Sequence, residues 1–163
     1  MKTSILCLLA SFTLTAFAAD GPEVRNGDFE KGKQFWRGDG KVVTLPNGGK
    51  ACQLETSQRY SDELTQEVDF GKVTAVEVTW KMRSIGYEGN GLKVSFKRPS
   101  GGFTFFTYKT ENGDSWKEMK MTFNRSTRDE KQVLAFSPYL GKGSIQIDDV
   151  KITTGSGGSP NLQ

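Results

Sequence analysis

From Thr74 to Arg83 the chain alternates without a break, with Val76, Val78, Trp80 and Met82 in one register and Glu77, Thr79, Lys81 and Arg83 in the other. Successive side chains of an extended strand point to opposite faces, so this stretch is a strand with one side in a core and the other in water. A helix would scatter the same apolar residues around its circumference. The apolar side needs a second layer, and the rest of the chain has to supply it.

It does so with more strands. Lys41 to Leu45 ends at Pro46-Asn47-Gly48-Gly49, where Asn-Gly is a strong turn signal, and Ala51 to Ser57 follows with Cys52 and Leu54 inward. Leu64, Val68 and Phe70 share a face that Gln66 interrupts. After a loop at Tyr87–Gly91, Leu92, Val94 and Phe96 turn inward and Lys93, Ser95 and Lys97 outward, up to the turn Arg98-Pro99-Ser100-Gly101-Gly102. Phe103 to Thr110 breaks the rule: Phe103 and Phe105 fall on one face, Phe106 and Tyr108 on the other, so one core cannot take all four. Met119, Met121 and Phe123, then Leu134 and Phe136, then Ile145 and Ile147 restore the alternation. Many short strands separated by turn residues, with no convincing helix, predict an all-β fold: a two-sheet β-sandwich of jelly-roll type.

Met1 to Ala19 has Lys2, an apolar run from Ile5 to Phe17, and the small-x-small triplet Ala16-Phe17-Ala18. That is the layout of a secretory signal peptide cleaved after Ala18, and the run is too short to span a bilayer. The expectation is a secreted or periplasmic protein without membrane insertion: signal peptide 1–18, one domain over 20–154, and a Gly/Ser/Pro-rich flexible tail at 155–163. The net charge of +3 falls by one when Lys2 leaves, and no basic cluster interleaved with aromatics marks a nucleic-acid partner. Loss of Cys7 with the leader leaves Cys52 without an intrachain partner, as a small buried hydrophobe. The chain has no histidine, which rules out Ser-His-Asp triads, Cys-His pairs and most zinc sites.

Three motifs span the mature chain in order: Asn26-Gly27-Asp28-Phe29-Glu30 with Trp36 shortly after; Gly113-Asp114-Ser115-Trp116 followed by Met119, Met121 and Phe123; and the closing Ile145-Gln146-Ile147-Asp148-Asp149-Val150-Lys151-Ile152. Together they resemble carbohydrate-binding modules of the family 4, 9 and 22 type, which share the galactose-binding-like jelly roll. The resemblance implies that the first and last strands lie close together and that a structural calcium bridges them. Glu30 and Asp148 would hold it by their side chains, with Asp28, Lys50 and Asp149 contributing, some through backbone carbonyls. Calcium takes hard oxygen ligands of this kind. The plain alternative is that these carboxylates cap turns and face water.

The resemblance also implies a polysaccharide or glycan as partner. Sugar rings stack their C–H faces on aromatics, while their hydroxyls need amide, carboxylate or guanidinium partners. A sheet face opposite the core offers both. The expected set is Gln53, Glu55, Lys81 and Arg83 with the pair Phe106 and Tyr108, and Tyr60, Tyr87 and Tyr139 at the rim of a concave face. Trp80 belongs to the core by alternation, Trp36 and Trp116 by the resemblance. Catalysis is not expected. Glycosidases need two carboxylates about 5 to 10 Å apart around one bond, and Asp148-Asp149 point to opposite faces unless a bulge intervenes. Glu67-Val68-Asp69 and Asp129-Glu130 are no better placed. The rival reading is a stand-alone protein-interaction or envelope-structural sandwich whose sheet face meets a protein and has no sugar ligand.

Overall fold

The computed structural model describes residues 21–57, 59–110, 113–125 and 131–155. The expected leader, and the tail beyond Gly155, lie outside them. The described strands are, in chain order, β1 (Arg37–Gly38), β2 (Lys41–Thr44), β3 (Lys50–Ser57), β4 (Tyr60–Ser61), β5 (Leu64–Asp69), β6 (Ala75–Gly89), β7 (Leu92–Lys97), β8 (Phe103–Tyr108), β9 (Gly113–Asn124), β10 (Lys131–Pro138) and β11 (Gly141–Thr154). There is no helix among the described residues, and hence none long and apolar enough to cross a membrane.

Two antiparallel sheets form, one of five strands in the order β1-β5-β10-β7-β8 and one of six in the order β2-β3-β11-β6-β9 with β4 on β3. The expected two-sheet β-sandwich is what the chain builds. The alternating stretch is the middle of β6, flanked by β11 and β9, and its apolar side faces the other sheet. Val76, Val78, Trp80 and Met82 are all buried, as are Leu92, Val94 and Phe96 of β7 and Leu134 and Phe136 of β10. Aromatic rings knit the layers: Phe96 lies 4.4 Å from Phe123 and 5.3 Å from Phe70, and Trp80 lies 5.7 Å from Phe136. Each such side chain contributes about 1.5–3 kcal/mol on burial.

The strand β6 is longer than its sequence pattern suggested. It runs on to Gly89, so Tyr87 and Glu88 belong to a strand rather than to the expected loop.

Ahead of β1 the opening segment has no strand, and its sequence explains its path. Asn26 sits at φ 52° and its side chain caps the turn, Nδ2 donating to the carbonyls of Gly32 (2.9 Å) and Gln34 (3.1 Å). Asn tolerates this left-handed conformation better than most residues. Phe29 enters the core beside Trp36, ring centroids 5.5 Å apart. Gly27 accepts the Val150 N–H at 3.0 Å, and a Cβ there would stand 1.9 Å from the Val150 carbonyl oxygen. Only glycine fits so close to β11. The start of the domain is thus fastened to its last strand, as expected.

Gln66, the interruption in β5, does point inward and is 2% exposed. Its amide accepts from Arg25 N–H (2.7 Å) and donates to Arg25 C=O (3.0 Å), satisfying a backbone unit with no sheet partner.

Candidate functional site

Gln53, Glu55, Lys81 and Arg83 all reach the outer face of the six-stranded sheet. Register carries two of them, Gln53 and Arg83, into one row: Lys41 of β2 faces Gln53 of β3, Gln53 faces Gln146 of β11, and Gln146 faces Arg83 of β6. The side chains are joined along it. Arg83 Nε donates to Gln146 Oε1 (2.8 Å), Gln146 Nε2 to Gln53 Oε1 (2.8 Å), and Gln53 Nε2 to Glu55 Oε1 (3.2 Å). At the far end the Arg83 guanidinium lies 4.8 Å from the Trp116 ring centre. Lys81 lies outside the row, opposite Asp148, and forms an ion pair with Asp149 at 2.7 Å.

Trp116 is therefore a correction to its expected place in the core. In β9, Met119, Met121 and Phe123 face inward, and Trp116 falls in the opposite register with Glu118 and Lys120. Counting back from Met119 would have found it. Gln146 was missed too, although its neighbours Ile145 and Ile147 are both buried and alternation sends the residue between them outward.

Phe106 and Tyr108 do not join that row. They lie on β8 of the opposite sheet and face inward: Phe106 packs against the core, and Tyr108 meets Trp80 edge-on at 4.9 Å. Burial pushes the Tyr108 phenol up to about 12. The reason is register. Paired residues in neighbouring strands share a face, and Phe106 and Tyr108 face Val94 and Leu92 of β7, both buried. Phe103 and Phe105 are the exposed pair, at 56% and 45%.

These two rings, 5.7 Å apart, stand along one side of the outer face of the five-stranded sheet, with Tyr139 a further 6.4 Å from Phe105. Phe105 faces Ser95, Ser95 faces Ala135, and Ala135 faces Thr65. By alternation Ser95 and Ala135 point away from the core, yet each is 1% exposed. Small side chains set low between taller ones leave a shallow trough whose floor those neighbours close off from solvent. Ser95 Oγ has no hydrogen-bond partner on that floor, a buried hydroxyl of the sort that ordinarily finds one. The Lys97–Glu63 ion pair (2.6 Å) begins on β7, opposite Phe103 in register, and reaches toward the start of β5.

Of the expected rim tyrosines, Tyr87 is a second correction. It is 2% exposed, and its hydroxyl bonds to the carbonyls of Gly91 (3.0 Å) and Tyr139 (2.8 Å), so it locks the β6–β7 connection and meets no ligand. Tyr60 is 55% exposed, and the nearby Asp39 and Asp62 carboxylates raise its pKa. It stands between a depression of about 450 Å³ that includes Glu55 and Asp62, and a cleft of about 670 Å³ that includes Arg59, Glu88 and Lys142. The second is the larger hollow, but it opens at the end of the sandwich and is lined by flexible charged side chains, one pair of which, Lys142 and Glu88, is joined at 3.0 Å.

The acidic edge lies where the opening segment meets β11. A register shift between Asp148 and Lys151, with Asp149 at φ 50°, is the bulge that separates the two neighbouring carboxylates from simple alternation. Asp149 pairs with Lys81; the Asp148 carboxyl is pushed up to about 6, first by burial and then by the charges of Asp149 and Asp28. Glu30 Oε1 accepts the Lys50 N–H (3.0 Å), and the Lys50 ammonium donates to the Glu30 carbonyl (2.7 Å). Among the described residues no three His, Cys, Asp or Glu side chains converge as a metal cage. The oxygens fit calcium in kind, provided backbone carbonyls complete the set, and crowded carboxylates are what a divalent cation relieves.

No protein-family model matches the sequence, and no curated protein matches it. Solved structures do. TmCBM61, determined in complex with β-1,4-galactotriose, superposes with a TM-score of 0.61 at 20% identity over 81% of this chain and 97% of that one. The CBM22-1 xylan-binding domain from Paenibacillus barcinonensis Xyn10C gives 0.56 at 14% identity over 73% of this chain and 85% of that one. The enzymatically active domain of tailspike protein 4 from bacteriophage CBA120 gives 0.61 at 13% identity, and this chain spans 21% of its length. The chain has the β-sandwich fold of carbohydrate-binding modules.

Proposed function

We propose that the protein is a secreted or periplasmic, non-catalytic module that binds a polysaccharide or glycan in the trough on the outer face of the five-stranded sheet. The observation that carries this reading is the exposed pair Phe103 and Phe105, standing beside the low, small residues Ser95 and Ala135 on one sheet face. Aromatic faces take sugar rings, and Lys97 and Glu63 offer polar partners to what those rings carry. The shared fold supports it, since neighbours of this shape were solved with β-1,4-galactotriose or as a xylan-binding domain. The same reading gives the acidic edge a structural calcium, held by Glu30, Asp28 and Asp148 with backbone carbonyls, which ties the ends of the domain together and takes no part in binding.

A specific observation favours one rival. Strand β8 is last in its sheet and carries the exposed phenylalanines, and an open strand edge with apolar side chains also suits a protein partner. Calorimetric titration separates the two readings, with β-1,4-galactan, xylan and mixed-linkage β-1,3-1,4-glucan as probes. One of these binds the native protein, and the Phe103→Ala/Phe105→Ala variant loses about tenfold or more in affinity at unchanged melting temperature. Heat from none of the three, and from no other soluble polysaccharide, removes the glycan reading and leaves the protein interface.

A further inference from the structure

The polar row on the six-stranded sheet is not needed for the trough, because the two outer faces of a sandwich point in opposite directions. Yet it has the composition of a sugar platform. An indole, a guanidinium and two carboxamides are all planar: the Arg83 guanidinium lies over one face of Trp116, and hydrogen bonds run on from Arg83 through Gln146 to Gln53. The hydrogen bonds fix Arg83, Gln146 and Gln53 relative to one another, so little freedom remains to be lost on binding. Gln146 is 7% exposed, clasped between Arg83 and Gln53, which fixes the middle of the row. From β2 to β9 the sheet spans four interstrand gaps, about 19 Å, room for several rings of an extended chain. At its other end the row reaches Glu55 and the depression beside exposed Tyr60.

We infer that this face is a second binding surface for a hydroxyl-rich linear glycan, with the Trp116 indole, backed by Arg83, as its stacking platform, Arg83, Gln53 and Glu55 as its hydrogen-bonding groups, and Gln146 holding them in place. The inference rests on the glycan reading of the trough and goes beyond it. A protein with one site on each side of the sandwich joins two glycan strands, and its apparent affinity for a polymer carries an avidity gain that a short oligosaccharide does not show.

The test uses the polysaccharide that binds the native protein, with its matching oligosaccharide. Titration with the oligosaccharide gives two sites per protein. The Trp116→Ala and Phe103→Ala/Phe105→Ala variants each give one, and the combination gives none. Mixing with the polymer produces turbidity that either variant abolishes, while light scattering of the free protein stays that of a single species. A Gln53→Ala variant, which leaves the indole in place, weakens the second site without removing it and guards against a Trp116 variant that misfolds. If the phenylalanine variant alone abolishes all binding, the trough is the only site and the second surface is wrong while the glycan reading stands. If no glycan binds the native protein, both fall.

Discussion

Tyr87 shows how a single residue is misread when its segment is. Glu88-Gly89-Asn90-Gly91 has the composition of a loop, and a tyrosine at its head suggested a wet rim; the ring is instead buried at the end of β6. Its hydroxyl also accepts from the Gly91 N–H at 3.2 Å, so one oxygen serves three backbone groups at the tight β6–β7 connection. Nothing in alternation announces such a task, because it depends on where the backbone of a later segment falls. Tyr87→Phe removes the oxygen, keeps the ring and strands the Gly91 donor. The expected loss is about 1–3 kcal/mol in urea unfolding, with glycan affinity unchanged. A Tyr87→Phe protein as stable as the parent but weaker in binding would return the residue to the site. Gln66 is the opposite case, legible as an anomaly in the sequence but explicable only once Arg25 is seen against it.

At the level of the strand, most of the fold was legible because alternation is a local property. The inward sets of β3, β6, β7, β9, β10 and β11 follow from it directly, and all of them are in the core or packed against it. The choice of face on β8 was not local. Its four aromatics fill both registers, and only the pairing with β7 decides which pair is buried. The same pairing rule, applied across β3, β11 and β6, would have joined Gln53, Gln146 and Arg83 in one row before any coordinates. The β8 assignment has a sharp consequence. Phe106→Ala opens space against the core and costs about 2–4 kcal/mol, somewhat below the range of a fully buried phenylalanine. Phe105→Ala, on the exposed side of the same strand, changes stability by less than about 0.5 kcal/mol. Thermal unfolding of the two variants side by side checks this, and equal losses would mean that β8 pairs in the other register.

Over the whole molecule, the ends of the domain are held by the contact of Gly27 with Val150 and by the charges around it. The five charged residues expected to hold calcium divide their attachments, and among the described residues no three carboxylates converge. Asp149 is paired with Lys81, Lys50 is bonded to Glu30, and Asp148 is left half-buried among like charges. A bound calcium would relieve Asp148 and stabilise the folded state by mass action. At a concentration about a hundredfold above its dissociation constant that contributes about 2.7 kcal/mol, a rise of roughly 5–10 °C in melting temperature for a domain of this size. Asp148→Asn should abolish the rise while leaving the protein in chelator no less stable, because it removes a crowded charge. The Lys50 ammonium is the competing cation, already seated on the Glu30 carbonyl at 2.7 Å. If calcium and chelator give the same transition, and Lys50→Met lowers it sharply in both, the lysine holds this edge and the domain closes without a metal.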